Sequence, residues 1–278
     1  MKTLKTFSDF ILYSNIFISL CASAAAYQTY LVSGETNWTY VAFVFCSTFV
    51  FYNGQRIFLS KNYNTENSSE RHKWILKNKK LLIVLCAVAL LASIPLIINW
   101  SLKLIFIFGA FSIIASFYFL PKINLRAIPG VKAIYISLLW VFSTVVFPIM
   151  LVKQHETITS IFSSFYLFII LQRFFFILPL CIAFNIRDIS VDKKTGVKTF
   201  PVIFGETKTK IICFILLFLF CGFVPYPGSP TGVTLIVSAI ATAVLILFAS
   251  EKRREYYYSF LLDGAILLQA GLVLIFSR

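Results

Sequence analysis

Residues 165–184 read FYLFIILQRFFFILPLCIAF, and this stretch decides the fold class of the chain. Gln172 and Arg173 are its only strongly polar residues. A helix of about 20 mostly apolar residues is long enough to cross the hydrocarbon core of a bilayer, which is about 30 Å thick. The stretch therefore predicts a transmembrane helix.

Runs of this kind recur along the whole chain of 278 residues, of which 59% are hydrophobic and 13% are charged. A soluble domain does not have this composition, and helices are the simplest elements that satisfy their own backbone polar groups in lipid. We therefore predict a single all-α polytopic membrane domain over residues 1–278, with nine transmembrane helices. The seventh apolar run is short, and we expect its helix to continue into the polar flank. The predicted spans are 10–32, 38–59, 81–99, 102–120, 133–152, 159–183, 211–224, 233–249 and 260–276.

The distribution of basic residues predicts the orientation of these helices. Of the 25 lysines and arginines, most lie in the amino-terminal segment and in four loops on the same side of the membrane. Because basic loops face the cytoplasm, we predict a cytoplasmic amino terminus and an external carboxyl terminus, and we expect a bacterial inner membrane. The predicted cytoplasmic loops are 60–80, 121–132, 187–210 and 251–258.

The first 27 residues also have the basic start, apolar middle and small residues of a cleaved signal peptide. Asp9, Ser14 and Asn15 interrupt the apolar part, and the apolar character continues to Val32. These features favour an uncleaved first helix over a signal peptide.

Nucleic-acid binding and a cysteine-based metal site are both disfavoured. The net charge of +14 follows from the topology, since the sequence contains no basic soluble face. The six cysteines all lie in predicted spans and form no C-x-x-C pair, so they are interpreted as small buried hydrophobic residues. His72 and His155 fall in loops on opposite sides of the membrane and are not expected to share a metal ion.

A polar segment follows the opening stretch, and residues 184–205 read FNIRDISVDKKTGVKTFPVIFG. If the helix continues through this segment, Asn185, Asp188 and Asp192 share one face. The two carboxylates would then repel each other. Mg²⁺ would remove this repulsion, because it favours one or two carboxylates together with substrate phosphates. The alternative is an interfacial helix end whose acids pair with neighbouring lysines, and the spacing alone leaves both open.

The rest of this segment suits a polyanionic ligand. Lys193, Lys194 and Lys198 add positive charge. Gly196 and Pro201 are expected to break the helix, so that the loop folds back over the membrane face.

The pattern N-I-R-D-x-x-x-D-x-x-x-G-x-x-T-x-P-V-x-x-G in residues 185–205 resembles the second aspartate motif of the UbiA superfamily of intramembrane prenyltransferases. Residues 118–132, YFLPKINLRAIPGVK, are similar to the loop after the fourth span of that family. The resemblance implies nine transmembrane helices around a central cavity, which agrees with the number of apolar runs. The residues that match the motif are Asp188, Asp192, Gly196, Thr199, Pro201, Val202 and Gly205.

The resemblance also implies an activity, the transfer of an isoprenoid from a polyprenyl diphosphate to an acceptor in the membrane. Asp188 and Asp192 would be the catalytic residues and would bind Mg²⁺, with Asn185 supporting them. The metal would stabilise charge on the leaving diphosphate, and apolar walls would keep water from the allylic carbocation. The candidate diphosphate-binding residues are Asn53, Arg56, Lys61, Lys122, Arg126 and Lys198.

The chain departs from the family at the first aspartate motif, N-D-x-x-D-x-x-x-D, which should end the second span. Residues 53–61 read NGQRIFLSK, so the asparagine Asn53 is kept and all three carboxylates are lost. In the second motif, Asn185 stands in place of the leading aspartate. The positions of the three lost aspartates are occupied by Gly54, Ile57 and Lys61.

Two explanations of this loss remain open. In the first, Arg56 and Lys61 hold the diphosphate directly, since arginine suits bidentate phosphate contacts, and one Mg²⁺ suffices instead of two. In the second, catalysis is lost and the chain is a noncatalytic lipid-binding or complex-assembly subunit, whose protein partner the sequence does not identify. The intact loop that carries Asp188 and Asp192 favours the enzyme. A solute transporter has less support, because no inverted repeat is visible.

Charged groups inside a span are costly and usually face the bundle interior or a cavity, and this applies to Arg173 and Asp263. For Arg173, a structural role is favoured over contact with a polar acceptor group. For Asp263, pairing with a loop lysine is favoured over a place beside the cavity. Asn15 is expected in the interior of the bundle.

Overall fold

The computed structural model describes residues 2–59, 70–119, 128, 130–154, 163–224 and 226–276. Every regular element within these ranges is a helix, as the all-α prediction requires. The α-helices are α1 (Lys2–Tyr13), α2 (Ile16–Ser33), α3 (Trp38–Leu59), α4 (Glu70–Lys77), α5 (Lys79–Ser93), α6 (Leu102–Ser116), α7 (Val131–Val141), α8 (Phe147–Val152), α9 (Ser164–Arg187), α10 (Ile189–Thr195), α11 (Phe200–Gly222), α12 (Pro230–Leu247) and α13 (Asp263–Phe276).

Six helical segments of the described ranges are long and apolar enough to cross a membrane, judged by length and composition. The helix α6 is also apolar but shorter, and α3 has the same bounds as the second predicted span. The chain is therefore an integral membrane protein, whereas the number of nine transmembrane helices stays a prediction. The six segments are Ile16–Ser33, Lys79–Ile97, Val131–Val152, Ser164–Arg187, Pro230–Leu247 and Tyr257–Phe276.

The outer surface of the helical bundle carries large apolar side chains. Phe218 is 77% exposed, Phe106 is 75% exposed and Leu102 is 74% exposed. A soluble monomer rarely exposes apolar surface on this scale, but in a bilayer these side chains meet hydrocarbon. The interior instead holds an aromatic cluster in which the buried Tyr40 packs against Phe147, with ring centroids 5.5 Å apart.

The first predicted span is not one continuous helix, and this part of the prediction is wrong. The chain leaves helical geometry at Asn15, which has φ 62° and ψ 16° and separates α1 from α2. Asparagine is one of the few residues besides glycine that adopt this left-handed conformation without a large penalty. Asn15 is fully buried, as predicted, and its side chain is engaged by other helices in the site described below.

Two stretches of π-helix interrupt the α-helices of the bundle. Residues Phe142–Val146 join α7 to α8, and residues Tyr257–Leu262 lead into α13. Such insertions into α-helices are frequent at functional sites. The second π-helix begins at Tyr257, inside the predicted loop 251–258, so the last two residues of that loop are part of this π-helix.

The polar segment after α9 folds back toward the bundle, as predicted. Gly196 ends α10 with φ 73°, a conformation that favours glycine. Pro201 lies in the first turn of α11, where its missing N–H has no helical partner to lose. Gly205, with φ 77° and ψ 168°, then kinks α11. The helix of the seventh apolar run therefore does continue into its polar flank, and the expectation for that run is confirmed.

Candidate functional site

Asp188 lies in the turn between α9 and α10, with φ −98° and ψ 10°. Its two carboxylate oxygens accept hydrogen bonds from the neighbouring Arg187, at 2.8 Å from Nε and 3.1 Å from Nη2. The Asp188 side chain is 32% exposed. The predicted metal ligand thus holds an arginine in this structure, and it does so at the edge of the bundle where solvent can reach it.

Asp192 follows one turn later and has different partners. Its backbone N–H donates to the Asp188 carbonyl over 2.8 Å, so the two residues keep helical spacing across the turn. The Asp192 carboxylate accepts from the Thr199 hydroxyl at 3.1 Å and lies 4.0 Å from Nζ of Lys132. Asp192 is only 6% exposed. It therefore fastens the folded-back segment to the start of α7.

Asn185 and Asn53 are both buried. Asn185 lies beside the aspartate segment, and Asn53 contacts the break in the first span. The Asn185 carbonyl accepts from the Asp188 N–H at 3.2 Å. Nδ2 of Asn53 donates to the carbonyls of Ser14 at 2.8 Å and Phe49 at 2.9 Å. Its Oδ1 accepts from the Asn15 side chain at 2.8 Å. A diphosphate contact from Asn53 would require one of these bonds to break.

Of the five basic residues predicted to bind diphosphate, two lie within the described residues. Arg56 lies in the last turn of α3, where its charge acts on Glu255 and His72. Lys198 is exposed, and its carbonyl accepts from the Gly130 N–H at 3.3 Å. The remaining three, Lys61, Lys122 and Arg126, lie outside the described residues.

Sequence reasoning missed the residue that connects this region, Glu255. Oε1 of Glu255 accepts from Nη1 of Arg71 at 3.0 Å. Nη1 of Arg187 donates to both Glu255 oxygens, each at 3.0 Å. Burial alone would raise the pKa of Glu255, but the guanidinium groups of Arg187 and Arg71 outweigh it and hold that pKa below its ordinary value. Glu255 is therefore an ionised carboxylate shared by two arginines.

Arg71 extends these contacts to the break between α1 and α2. Its Nη2 donates to Oδ1 of Asn15 at 2.5 Å, and Asn15 in turn donates to Asn53. A continuous set of polar contacts thus joins the position of the lost first motif to the second motif. We refer to this set as the arginine network, and its members are Asn53, Asn15, Arg71, Glu255, Arg187 and Asp188.

One signal for part of this network was present in the sequence. Arg187 belongs to the N-I-R-D pattern, in which Asn185 and the aspartates have a predicted role but the arginine has none. Glu255 lies in the run EKRREYYY, residues 251–258, which is most simply interpreted as a basic membrane boundary. An acid among arginines carries no local signal of a partner that is 184 residues away in the chain.

His72 is next to the network and is partly buried. Burial, followed by the positive charges of Arg56 and Arg71, lowers the pKa of His72 from 6.5 to about 4. The imidazole is therefore neutral at physiological pH and does not add a further cation to the arginine network.

Arg173 and Asp263, both inside predicted spans, have separate environments. Arg173 is 3% exposed and donates from Nη2 to the Ala25 carbonyl at 3.0 Å, which supports the structural role. Among the described lysines, none forms an ion pair with Asp263, so the favoured pairing is not found in this part of the chain. The Asp263 carbonyl accepts from the Cys21 thiol at 3.3 Å.

The carboxylates of the site can be tested for their fit to Mg²⁺. No group of three or more His, Cys, Asp or Glu residues within the described ranges could hold a metal ion. Mg²⁺ needs only one or two carboxylates when substrate phosphates complete its coordination. Asp188 is accessible enough to provide such a ligand, whereas Asp192 is engaged by Thr199 and Lys132. The residues described here fit one ion that arrives with a diphosphate.

Comparisons with known proteins bear on the family and the fold of the chain. A sequence model of the UbiA prenyltransferase family matches residues 75–259. A solved structure of a UbiA homologue from Archaeoglobus fulgidus bound to DMAPP and Mg²⁺ has a TM-score of 0.62 at 13% identity, and the match covers 96% of this chain and 99% of that chain. A structure described for digeranylgeranylglyceryl phosphate synthase in membranes has a TM-score of 0.59 at 16% identity, with 100% and 99% coverage. No curated protein matches the chain.

At these identities the structural matches show the fold alone, and that fold is UbiA-like. The family model shows more, because it matches well over half of the chain and includes the whole second aspartate motif. The resemblance noted in the sequence is thus confirmed: the chain belongs to the UbiA prenyltransferase family.

Proposed function

We propose that the protein is a membrane prenyltransferase that moves an isoprenoid from a polyprenyl diphosphate to an acceptor in the membrane. The observation that carries this proposal is the second aspartate motif, which is complete in the chain from Asp188 to Gly205. Its threonine, Thr199, is hydrogen-bonded to Asp192, so the motif acts as one folded unit. The solved homologue bound to DMAPP and Mg²⁺ gives further support for a prenyl diphosphate as the donor.

In the proposed reaction, the allylic C–O bond of the donor breaks and the electron pair leaves with the diphosphate. The acceptor then forms a bond to the allylic carbon and loses a proton. Arg187 and Arg56 lie where positive charge would stabilise the leaving group, because preorganised charges are most effective in a site that excludes water. When bound at Asp188, Mg²⁺ would neutralise further charge on the diphosphate.

We place this site at the cytoplasmic face of a bacterial inner membrane, with the amino terminus in the cytoplasm. The basic predicted loops 60–80 and 251–258 support this orientation. Both loops contribute to the arginine network, through Arg71 and Glu255 respectively. A soluble or interfacial diphosphate head group could therefore enter from the cytoplasm while the isoprenoid chain stays in the membrane.

The second candidate is a noncatalytic lipid-binding or complex-assembly subunit. Two observations favour it: the first motif has lost its three carboxylates, and Asp188 and Asp192 are both engaged by protein groups. In that case the arginine network would serve stability alone, and the fold would be kept for a lipid or a protein partner.

Diphosphate release separates the two candidates. Purified protein is incubated with labelled polyprenyl diphosphates of several chain lengths, with Mg²⁺ and membrane extract as the source of acceptor. We expect release of diphosphate by the wild type and a loss on the order of 10² in Asp188→Asn, because a carboxylate that would hold Mg²⁺ beside the leaving diphosphate is removed. The matched control is Glu35→Gln, an exposed acid outside the site. Absence of release with every donor would leave the noncatalytic subunit as the better explanation.

A further inference from the structure

Two guanidinium groups of the arginine network meet on one carboxylate oxygen. Nη1 of Arg71 and Nη1 of Arg187 each lie 3.0 Å from Oε1 of Glu255. The two nitrogens therefore cannot be further apart than twice this distance. Neither arginine was among the predicted diphosphate-binding residues, and they come from helices that are more than 100 positions apart in the chain.

The two arginines are held in place to different degrees. Arg71 has a side chain 10% exposed and is fixed on its second amino group by Asn15 at 2.5 Å. Arg187 has a side chain 23% exposed. Its Nη1 is bound to Glu255, while Nε and Nη2 form a second pair of donors on the opposite edge. Such an edge of a guanidinium group suits two oxygens of one phosphate.

The donor edge of Arg187 is occupied by the Asp188 carboxylate, which is 32% exposed. Exchange of that carboxylate for phosphate oxygens is feasible, because Asp188 can turn toward water and remain solvated. The exchange would also release Asp188 for a metal ligand. The carboxylate of Glu255, in contrast, is held by three hydrogen bonds from two arginines, so it can keep the pair together during the exchange.

We propose that Arg71 and Arg187, held together by Glu255, form a clamp that binds the diphosphate of the donor without a metal ion. This inference rests on the proposed prenyltransferase function for the identity of its ligand. The clamp takes the place of the carboxylates lost from the first motif: positive side chains replace a metal ion and the acids that would have held it. Without the donor, the Asp188 carboxylate accepts the two hydrogen bonds of Arg187 that the diphosphate would otherwise accept.

Charge balance explains why this arrangement persists without ligand. The two guanidinium groups face the two carboxylates of Glu255 and Asp188, so the empty clamp carries no net charge. A diphosphate that exchanges with the accessible Asp188 carboxylate takes the Nε and Nη2 donors of Arg187. It is also attracted by the nearby charge of Arg71, whose Nη1 and Nη2 stay on Glu255 and Asn15. Coulomb interactions in such a partly buried place exceed those in water, which makes the pair of arginines a stronger anion site than isolated surface lysines.

The test is binding of inorganic diphosphate to the full-length protein in detergent, measured by titration calorimetry in EDTA. We expect the wild type to bind, and Arg71→Gln and Arg187→Gln each to weaken binding about tenfold or more. Arg187→Gln removes charge-assisted hydrogen bonds to the anion, and Arg71→Gln removes a nearby positive charge in a partly buried place. Arg254→Gln is the matched control: it removes the same charge from an exposed residue beside Glu255 and should leave affinity within about twofold. Inorganic phosphate should bind about tenfold more weakly, because it engages fewer donors.

A variant of Glu255 distinguishes a clamp from a purely structural ion pair. Glu255→Gln keeps a hydrogen-bond acceptor between the two arginines, so the pair stays together, but it removes the negative charge that opposes the anion. Diphosphate should therefore bind about threefold tighter or more in EDTA. If the two arginines serve stability alone, this gain in affinity is absent. Because Arg71→Gln could perturb folding, Arg71→Lys provides a second variant that keeps the charge and should bind with intermediate affinity. Thermal unfolding of each variant in detergent identifies any that is misfolded.

The results separate this inference from the proposed function. Diphosphate release with Mg²⁺, but no diphosphate binding in EDTA, would overturn the clamp and leave the prenyltransferase intact. Binding in EDTA without any turnover would support the clamp and overturn the prenyltransferase. An equal loss of affinity in Arg254→Gln and Arg187→Gln, or equal binding of phosphate and diphosphate, would also overturn the clamp.

Discussion

The side-chain amide of Asn15 donates to Oδ1 of Asn53 over 2.8 Å, and both residues are fully buried. This bond joins the break between α1 and α2 to α3, at the residue that the chain keeps from the first aspartate motif. Asn53 also donates to two backbone carbonyls, those of Ser14 and Phe49. A retained motif residue can therefore be explained by its structural contacts alone.

We expect Asn53→Ala to lower the free energy of unfolding by about 1–3 kcal/mol, because the substitution leaves buried carbonyls and the Asn15 amide without partners. The measurement is thermal unfolding in detergent. Gln55→Ala, two residues further along α3 and only partly buried, is the control. If Asn53→Ala unfolds like the wild type but loses diphosphate binding, the residue is a ligand contact and the structural explanation is wrong.

The hydrogen bond from Thr199 to Asp192 is the second contact whose removal has a definite consequence. Thr199→Val keeps the shape of the side chain but removes the donor, so we expect a loss of about 1–3 kcal/mol in stability, because the acceptor is a buried carboxylate. The folded-back segment should then be cleaved more readily by protease after Lys193 or Lys194. Thr195→Val is the matched control, since that hydroxyl is exposed and donates to backbone carbonyls of its own helix. Equal stability of the two variants would contradict the anchoring role of Asp192.

The sequence predicts the membrane helices well, because the ability to cross a bilayer depends on local length and composition. It predicts the turn chemistry of the second motif for the same reason: Gly196 and Pro201 act on the backbone at their own positions. The break at Asn15 could not be predicted in this way. Its conformation is stabilised by Arg71 and Asn53, which lie in other helices.

The candidate site likewise contains some residues that a local motif reveals and others that it does not. Asp188, Asp192 and Thr199 are close in the chain, so a motif reveals them together. The three-residue contact of Arg71, Glu255 and Arg187 depends on tertiary packing of α4, α9 and the segment before α13. A single sequence contains no pairing information over such separations.

Acidification should destabilise the protein through His72 before it affects the carboxylates. Because burial and nearby arginines lower the folded-state pKa of His72 from 6.5 to about 4, the unfolded state binds its proton first as the pH falls. The free energy of unfolding should therefore decrease between pH 6.5 and about pH 4. His72→Gln should show a flatter pH dependence in this window, measured by unfolding at fixed temperature. An unchanged slope would mean that the folded imidazole titrates normally.

Glu255 contributes a further pH dependence at lower pH, with its charge facing Arg71, Arg187 and Arg56. Burial opposes its ionisation, but the arginines hold its pKa below the ordinary 4.5. Its contribution to stability is therefore fully present above about pH 4.5 and is lost as the pH falls through the lower, folded-state pKa. In Glu255→Gln this acidic loss should be reduced. Glu251→Gln, a more exposed acid of the same loop, should lose stability at low pH as the wild type does.

A structural role of Arg173 and a contact between Arg173 and the acceptor predict different effects on the KM for the acceptor. It lies about 22 Å along α9 from Asp188, at about 1.5 Å per residue, and its hydrogen bond to Ala25 joins α9 to α2. If the role is structural, Arg173→Met should lower the free energy of unfolding, because the hydrogen bond between α9 and α2 is lost. It should keep the KM values for donor and acceptor within about twofold. The measurement is steady-state kinetics with each substrate varied in turn. A KM that rises only for the acceptor would instead place the acceptor's polar group beside Arg173, deep in the bundle.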